Sequence, residues 1–517
     1  MKIPFIPPGD ISPDHVAPDS LKGIPRQQTK PSRWSGKGWD QFSRAVSDHG
    51  IPVKENKVAR SLYSSDSGGM TYSMPHGVII ARSTEQVAII MREAQKYSVP
   101  VKIRGGSLTT EGETVAFGGL QIDMTGMSNV ISVDPQNMTV RTQAGIYWHS
   151  LAEVLRREGY DYLSAPLNLT SSVGGTLSVG GIDINSARLG CSADQAVALK
   201  VVTPTGEIIE CSEAANPEMF NRNLLGYGQF GIITEATLRI RKFTPITMHY
   251  FYYSSLSSAI KDMMMLTRHD ASDYIGILTI MDRAVNLLVA FDSAEREKAF
   301  FSRWRDRIKG YGELGFGIKM GIHYALRPWR VREALYLLDR KKSLMPEFNP
   351  SHHMDGKNIV DRTVVFSKAV WKFWGGRQMV IPDLATNEEK FIEAVERGNA
   401  VCKKYFRHYT LYCVGIKLLG NKDRYELSCI PPDASGIAYG CEFEPMLGDR
   451  YYSHDYLQSF KNEIYDIGVD MKSSYYRFGG MMKGYIRRVF GDKVVDKHLA
   501  LKREADPGMI LNSDVIF

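Results

Sequence analysis

The chain has 517 residues, 43% of them hydrophobic, 23% charged and 10% aromatic, enough for two or three domains around large apolar cores. Its net charge of +7 is the balance of 64 basic and 57 acidic residues. With no long basic run behind it, this excess argues against nucleic acid as a partner but permits an anionic ligand such as a dinucleotide.

The six cysteines are irregularly spaced, with no CxxC pair. Neither a disulfide framework nor a metal site is expected, and six thiols fit a reducing, cytoplasmic setting. The start, MKIPFIPPGDISPDH, lacks the apolar core of a signal peptide. No stretch approaches ~18 uninterrupted apolar residues, so no membrane span is expected.

An N-terminal arm is expected over residues 1–50, its first part rich in Pro, Ser, Gly and Lys. An α/β pattern then begins. Val78–Ile80 reads as a strand. Ser83, with Gln86 three residues on, reads as a capping box opening a helix whose apolar face is Val87, Ile90, Met91 and Ala94. Val101–Ile103 reads as a second strand. Further strands are expected at Leu120–Asp123, Val130–Val133 and Thr139–Thr142, followed by a helix through Trp148, Leu151 and Leu155. Val197–Val202 and Glu207–Ile209 read as a hairpin around Thr203-Pro204-Thr205-Gly206, and Ile232–Ile240 as a long strand. After about residue 244 amphipathic helices such as SSAIKDMMMLTRH alternate with sheet-like runs such as IGILTIMD and VNLLVAF, the texture of a separate α+β unit.

Three glycine-rich segments carry the functional signal. The first is Arg104-Gly105-Gly106-Ser107-Leu108-Thr109. Paired glycines let backbone N–H groups crowd a phosphate, and the hydroxyls add donors. The second runs from Ser172 through Val173, Gly174, Gly175, Thr176 and Ser178 to Gly181 and Ile182, bare enough for a flat ring or pyrophosphate to approach. The third is Gly226-Tyr227-Gly228-Gln229-Phe230-Gly231-Ile232-Ile233. Each alone also reads as an ordinary turn. None is the GxGxxG of a dinucleotide-binding Rossmann unit.

Taken in order, these segments and the C-terminal Ala505-Asp506-Pro507-Gly508-Met509-Ile510-Leu511-Asn512 resemble the PCMH-type FAD-binding oxidoreductases. That superfamily includes vanillyl-alcohol oxidase and p-cresol methylhydroxylase. Val173–Ser178 and Gly228–Thr234 are also similar to cytokinin dehydrogenase. The resemblance implies an α+β fold: a two-part PCMH-type FAD-binding domain (51–244 and 466–517) with an inserted α+β substrate cap domain (245–465). It implies FAD held by Arg104, Gly105, Gly106, Ser107, Leu108 and Thr109, by the 172–182 segment, by Ile232 and Ile233, and by Asn512.

Ser107 stands where many members carry the histidine that bonds FAD covalently, so non-covalent FAD is expected; His352, His353 or a tyrosine of the cap is the alternative attachment point. The positions near Leu167 and Ser172, where relatives place a catalytic carboxylate, hold none. Tyr476-Arg477 resembles a Tyr-Arg pair that binds a substrate phenolate, with the alternative of a strand-end Tyr beside a surface Arg. His353 is a candidate acid or base, or else part of a solvated loop.

The expected activity is hydride removal from an alcohol or phenolic benzylic carbon of a small organic substrate. The alternatives are C–N or sugar-alcohol oxidation, or a flavoprotein subunit passing electrons to a cytochrome or quinone. The electron acceptor, oxygen or a protein or quinone, stays open. The arm and the aromatic-rich cap are compatible with a homodimer.

Overall fold

The computed structural model describes residues 34–280, 284–310, 378–420, 428, 430–431, 434–445, 452–476, 483–513 and 515. Helix α1 (Trp39–Asp48) and the short α2 (Lys57–Ser61) precede a three-stranded parallel sheet. This sheet holds β1 (Gly77–Ile80), β2 (Val101–Arg104) and β3 (Leu120–Asp123) in the order β1-β3-β2. Between β1 and β2 runs α3 (Thr84–Tyr97). The Ser83 hydroxyl caps it by accepting from Gln86 N, and Val87, Ile90, Met91 and Ala94 are fully buried against the sheet.

The N-terminal arm expected over 1–50 needs correction. Trp39, Phe42 and Val46 recur at helical spacing and sink into the same core as α3, so residues 39–48 are part of the domain. Glycine-rich flanks and one short turn of apolar pattern disguised this helix in the sequence.

The second sheet is antiparallel and ordered β4-β5-β9-β7-β8. Its strands are β4 (Val130–Asp134), β5 (Thr139–Gln143), β7 (Ala196–Val202), β8 (Ile208–Ser212) and the central β9 (Ile232–Lys242), with β6 (Tyr160–Tyr162) pairing on β9. Helices α4 (Trp148–Arg157), α5 (Val173–Val179), α6 (Ser186–Leu189) and α7 (Pro217–Asn223) lie in its connections. Trp148, Leu151, Leu155, Val173 and Leu177 pack with Leu199, Val201 and Leu238 as its core.

A third sheet has six strands, all antiparallel, in the order β10-β12-β11-β14-β15-β13. They are β10 (Thr247–Tyr253), β11 (Tyr274–Ile280), β12 (Ala284–Phe291), β13 (Asp383–Asn387), β14 (Tyr409–Lys417) and β15 (Ile437–Pro445). One face, with Ile277, Leu287, Cys413, Cys441 and Leu384 side by side, is buried under α8 (Leu256–Arg268), α9 (Ala294–Arg303), α10 (Glu388–Tyr405) and α11 (His454–Met471). The period-2 alternation of a strand leaves the other face for the second sheet, whose core takes in Tyr274, Leu288 and Val414.

Helices α12 (Lys483–Phe490) and α13 (Asp492–Ala505) follow. The boundary expected at 465/466 falls inside α11, which is unbroken. Ile486, Phe490 and Val495 share the core of the third sheet. The chain rejoins the parallel sheet only from Lys502 onward, where Leu511 bridges Val101 in parallel register. Among the described residues, no helix is long and apolar enough to cross a membrane.

Candidate cofactor and substrate site

The loop leaving β2 is held from one side. Ser67 N and Oγ donate to Ser107 O, at 3.2 and 2.6 Å, and Gly68 N donates to Thr109 O at 3.2 Å. The Asp66 carboxylate accepts from Thr109 Oγ1 (2.9 Å), Gly112 N (2.8 Å) and Gly68 N (3.1 Å). The first three of these bonds use the loop's carbonyls. The amides of Gly106, Ser107, Leu108 and Thr109 donate to no described residue. Ser107 has φ +55, a left-handed conformation of the kind that gathers successive N–H groups into an anion-binding concavity.

Arg104 is turned away from this concavity. Its Nη1 donates to Ser65 O at 2.9 Å and its guanidinium covers the Tyr63 ring. It therefore braces the loop from behind.

The second glycine segment meets the first directly. A Cβ on Gly105 would lie 2.0 Å from Ser172 Oγ, and one on Gly106 would lie 2.5 Å from Thr170 O. The segment is a helix rather than the bare loop anticipated, because Ser172 caps it through Gly175 N. Its first amides are already committed: Val173 N to Ile146 O and Gly174 N to Ala144 O.

The side chains of this helix also turn inward. Val173 is buried, Thr176 Oγ1 accepts from Trp148 Nε1 at 2.8 Å, and Ser178 Oγ donates to Gly174 O. The two glycines differ: a Cβ on Gly174 would strike Ala144 Cβ at 2.8 Å, whereas Gly175 is exposed and meets only Ser172 Oγ at 3.0 Å. Gly175 is the bare surface of α5.

The third segment and the C-terminus form a knot beneath this cleft. Asn512 accepts from Ile103 N through Oδ1 (3.1 Å) and donates from Nδ2 to Gly228 O (2.9 Å). Lys502 Nζ donates to Gln229 O, Asp506 Oδ2 and Leu511 O. Ile232 and Ile233 are buried in β9, in the cores on its two sides. Asn512, Ile232 and Ile233 thus support the floor of the cleft with side chains spent on the protein itself.

Above α5, the chain from Gly181 to Ala187 lies against the free face of the third sheet. Gly276 on this face permits the approach, since a Cβ there would meet Ile184 at 2.7 Å. Ile275 N donates to Ile184 O at 2.7 Å. The next row on this face is Tyr252, Asn286, Leu278, Tyr412, Glu442 and Asp383, each opposite its neighbour across the sheet.

A ring of neighbouring groups results. The Tyr476 hydroxyl accepts from Gly181 N at 3.2 Å, and Tyr476 N donates to Asp383 Oδ1. Asp383 lies beside Glu442 and Glu442 beside Tyr412. Tyr412 lies within electrostatic reach of Asp183, two residues beyond Gly181. Burial pushes the Asp183 carboxyl up to about 7 and the Tyr412 phenol well above its ordinary range. Burial also pushes Asp66 up to about 6 and Glu113 to about 8 beside the first loop.

Tyr476 is therefore the one expected catalytic residue brought to the cleft. Arg477, His352 and His353 lie outside the described residues. Asp66, Asp183, Asp383, Tyr412 and Glu442 were not anticipated; only the strand register places the last three together, and no motif marks them. Among the described residues no group of three or more His, Cys, Asp or Glu side chains could hold a metal ion.

Residues 75–212 match the family model described as an FAD binding domain. The chain is similar to cytokinin dehydrogenase 2 of Arabidopsis thaliana, 32% identical over 210 residues, 40% of this chain and 42% of that protein. It is also similar to D-lactate dehydrogenase of Anaerostipes hadrus, 30% identical over 172 residues, 32% of this chain and 36% of that one. The chain spans less than half the length of the curated relatives it matches. Its fold is like that of alkyldihydroxyacetonephosphate synthase, with a TM-score of 0.66 at 15% identity over 94% of this chain and 87% of the other.

Proposed function

From an FAD binding domain at residues 75–212 in a chain of PCMH-type fold, we propose an FAD-dependent oxidase or dehydrogenase that removes a hydride from an alcohol or phenolic benzylic carbon of a small organic substrate. The observation that carries the cofactor assignment is the row of open amides from Gly106 to Thr109 beside the exposed Gly175. Four unsatisfied donors in a left-handed turn suit a pyrophosphate, and a residue without a side chain suits close approach of a ring. FAD, when bound, supplies the two-electron acceptor.

In this reading Gly105 to Thr109 cradle the pyrophosphate and α5 presents Gly175 to the cofactor. The sheet of β10–β15 covers the substrate. Tyr476 orients a substrate oxygen together with Arg477, whose fork and charge suit an oxyanion, and His353 is held as an acid or base of the cap. FAD is non-covalent, because Ser107 cannot form a histidyl bond. The proposed setting is cytoplasmic, with a homodimer compatible with the arm and cap.

A second reading, oxidation at a C–N bond or of a 2-hydroxy acid, is favoured by the names of the relatives, cytokinin dehydrogenase and D-lactate dehydrogenase. The test is an absorbance spectrum of the purified protein before and after acid precipitation, then anaerobic mixing with phenolic alcohols, amines, sugars and D-lactate. A flavin band released into the supernatant and bleached by one class is the expected result. Flavin retained in the pellet would reject the non-covalent assignment, and protein that takes up no FAD would reject the reading entirely.

A further inference from the structure

Three observations converge on Asp183. It is 3% exposed, and among the described residues its carboxylate accepts one hydrogen bond, from Ile184 N at 2.7 Å. Within electrostatic reach of it, the Tyr412 hydroxyl is buried and has no hydrogen-bond partner among the described residues. Both belong to the ring that passes through Gly181, Tyr476 and Asp383, beside α5. A buried phenol left without a partner is costly unless something supplies one. A carboxylate with a spare oxygen next to it raises the same question, and a ligand hydroxyl between them answers both.

We propose that Asp183 is the proton acceptor for a substrate hydroxyl, and that Tyr412 is the second hydrogen-bond partner of that same oxygen. The inference rests on the proposed flavin chemistry. In the step, the carbinol carbon gives up its hydrogen with both electrons to the oxidised flavin. The O–H proton passes to the Asp183 carboxylate, and the C–O single bond becomes a carbonyl. Two electrons and two protons leave the alcohol. The Tyr412 hydroxyl donates to the oxygen as negative charge builds there, which a neutral phenol well above its ordinary range can do at any physiological pH.

The groups facing Asp183 leave it the acceptor. Tyr274 is tied to Arg241, whose Nη2 donates to its hydroxyl at 2.8 Å and whose Nη1 holds Asp292. Asp383 is engaged by Tyr476 N. Glu442 stands on the far side of Tyr412.

The test uses full-length FAD-loaded protein, Asp183→Asn, Asp183→Glu and Tyr412→Phe, with benzyl alcohol, 4-hydroxybenzyl alcohol, cyclohexanol, D-lactate and benzylamine as probes. All variants are expected to keep the wild-type flavin spectrum. With a neutral alcohol, wild-type flavin reduction rises with pH and levels off above about 7. Asp183→Asn lowers it ~10²–10⁴-fold and flattens the profile; Asp183→Glu restores part of the rate, and Tyr412→Phe lowers it roughly tenfold. Independently of turnover, infrared difference spectra between pH 6 and 8 show a protonated-carboxyl band that is weaker in Asp183→Asn than in the wild type, the part that stays coming from Asp66 and Glu113.

A merely structural Asp183 would leave the pH profile unchanged in Asp183→Asn, and that result overturns the proposal. So does reduction by benzylamine alone, or by none of the probes. Failure of the flavin reading is separate and visible first, as protein without a flavin band.

Discussion

The loop after β2 and the free face of the third sheet build the two sides of one cleft from different materials. The loop offers main chain: four open amides, glycines pressed against Ser172 and Thr170, and side chains such as Arg104 and Thr109 turned back to hold it. The sheet face offers side chains, Tyr412, Glu442 and Asp383, on strands whose main chain is consumed by the ladder. A cofactor that never changes can be read by backbone geometry, which few substitutions alter. A substrate must be told from its competitors, and that takes functional groups on a surface free to vary.

The strongest way to break the contrast is to cut the tie between its halves. Lys461 of α11 pairs with Glu111 of the loop, both fully buried. Lys461→Met should cost about 3–5 kcal/mol in urea unfolding, because it strands a buried carboxylate, and Lys461→Met with Glu111→Gln should recover most of that. Equal loss in the single and double variants would show that the charges do not couple.

Within the backbone half, the neighbouring glycines should separate. Gly174→Val drives a side chain into Ala144 and should cost about 1–3 kcal/mol of stability. Gly175→Val should keep the fold and lose flavin, measured as bound FAD per protein. Flavin retained in Gly175→Val would remove α5 from the cofactor wall. Asn512→Ala leaves Ile103 N and Gly228 O without their partner and should cost about 1–2 kcal/mol, with little effect on the substrate side.

The mildest probe is pH. Asp66 and Glu113 have folded-state values raised by burial, to about 6 and about 8. Acids raised in this way bind protons more tightly folded than unfolded, so stability of the flavin-free protein should fall as pH climbs from about 4 to about 8. Their ionisation beside the first loop should also weaken FAD retention towards pH 9. Glu113→Gln should flatten both trends, followed by thermal unfolding and by FAD release across pH. A profile unchanged in Glu113→Gln would assign the slope to Asp66 or elsewhere.

The same contrast explains what could be read from the sequence. Backbone function needs glycine, so the 104–109 and 172–182 segments stood out, and α3, β3 and β9 followed from spacing alone. Helix α5 was hidden because Gly174 and Gly175 read as a turn, although Ser172 caps them. Asp183, Tyr412 and Glu442 were illegible for another reason. They lie on chain segments from residue 183 to residue 442, and only the register of β11, β14 and β15 and the small residues beneath them bring them within reach of one another.

The knot at Asn512 sets the order in which the molecule can be made. Ile103 N waits for a side chain 409 residues further along the chain, and Gln229 O waits for Lys502. During synthesis β2 emerges with one edge unpaired, and it stays so until Leu511 and Asn512 follow. Closing so long a loop is slow, and the open edge invites wrong partners meanwhile. A nascent chain of this kind has a long interval of exposure to chaperones, and shortening that interval by permuting the order of segments should raise the yield of folded protein.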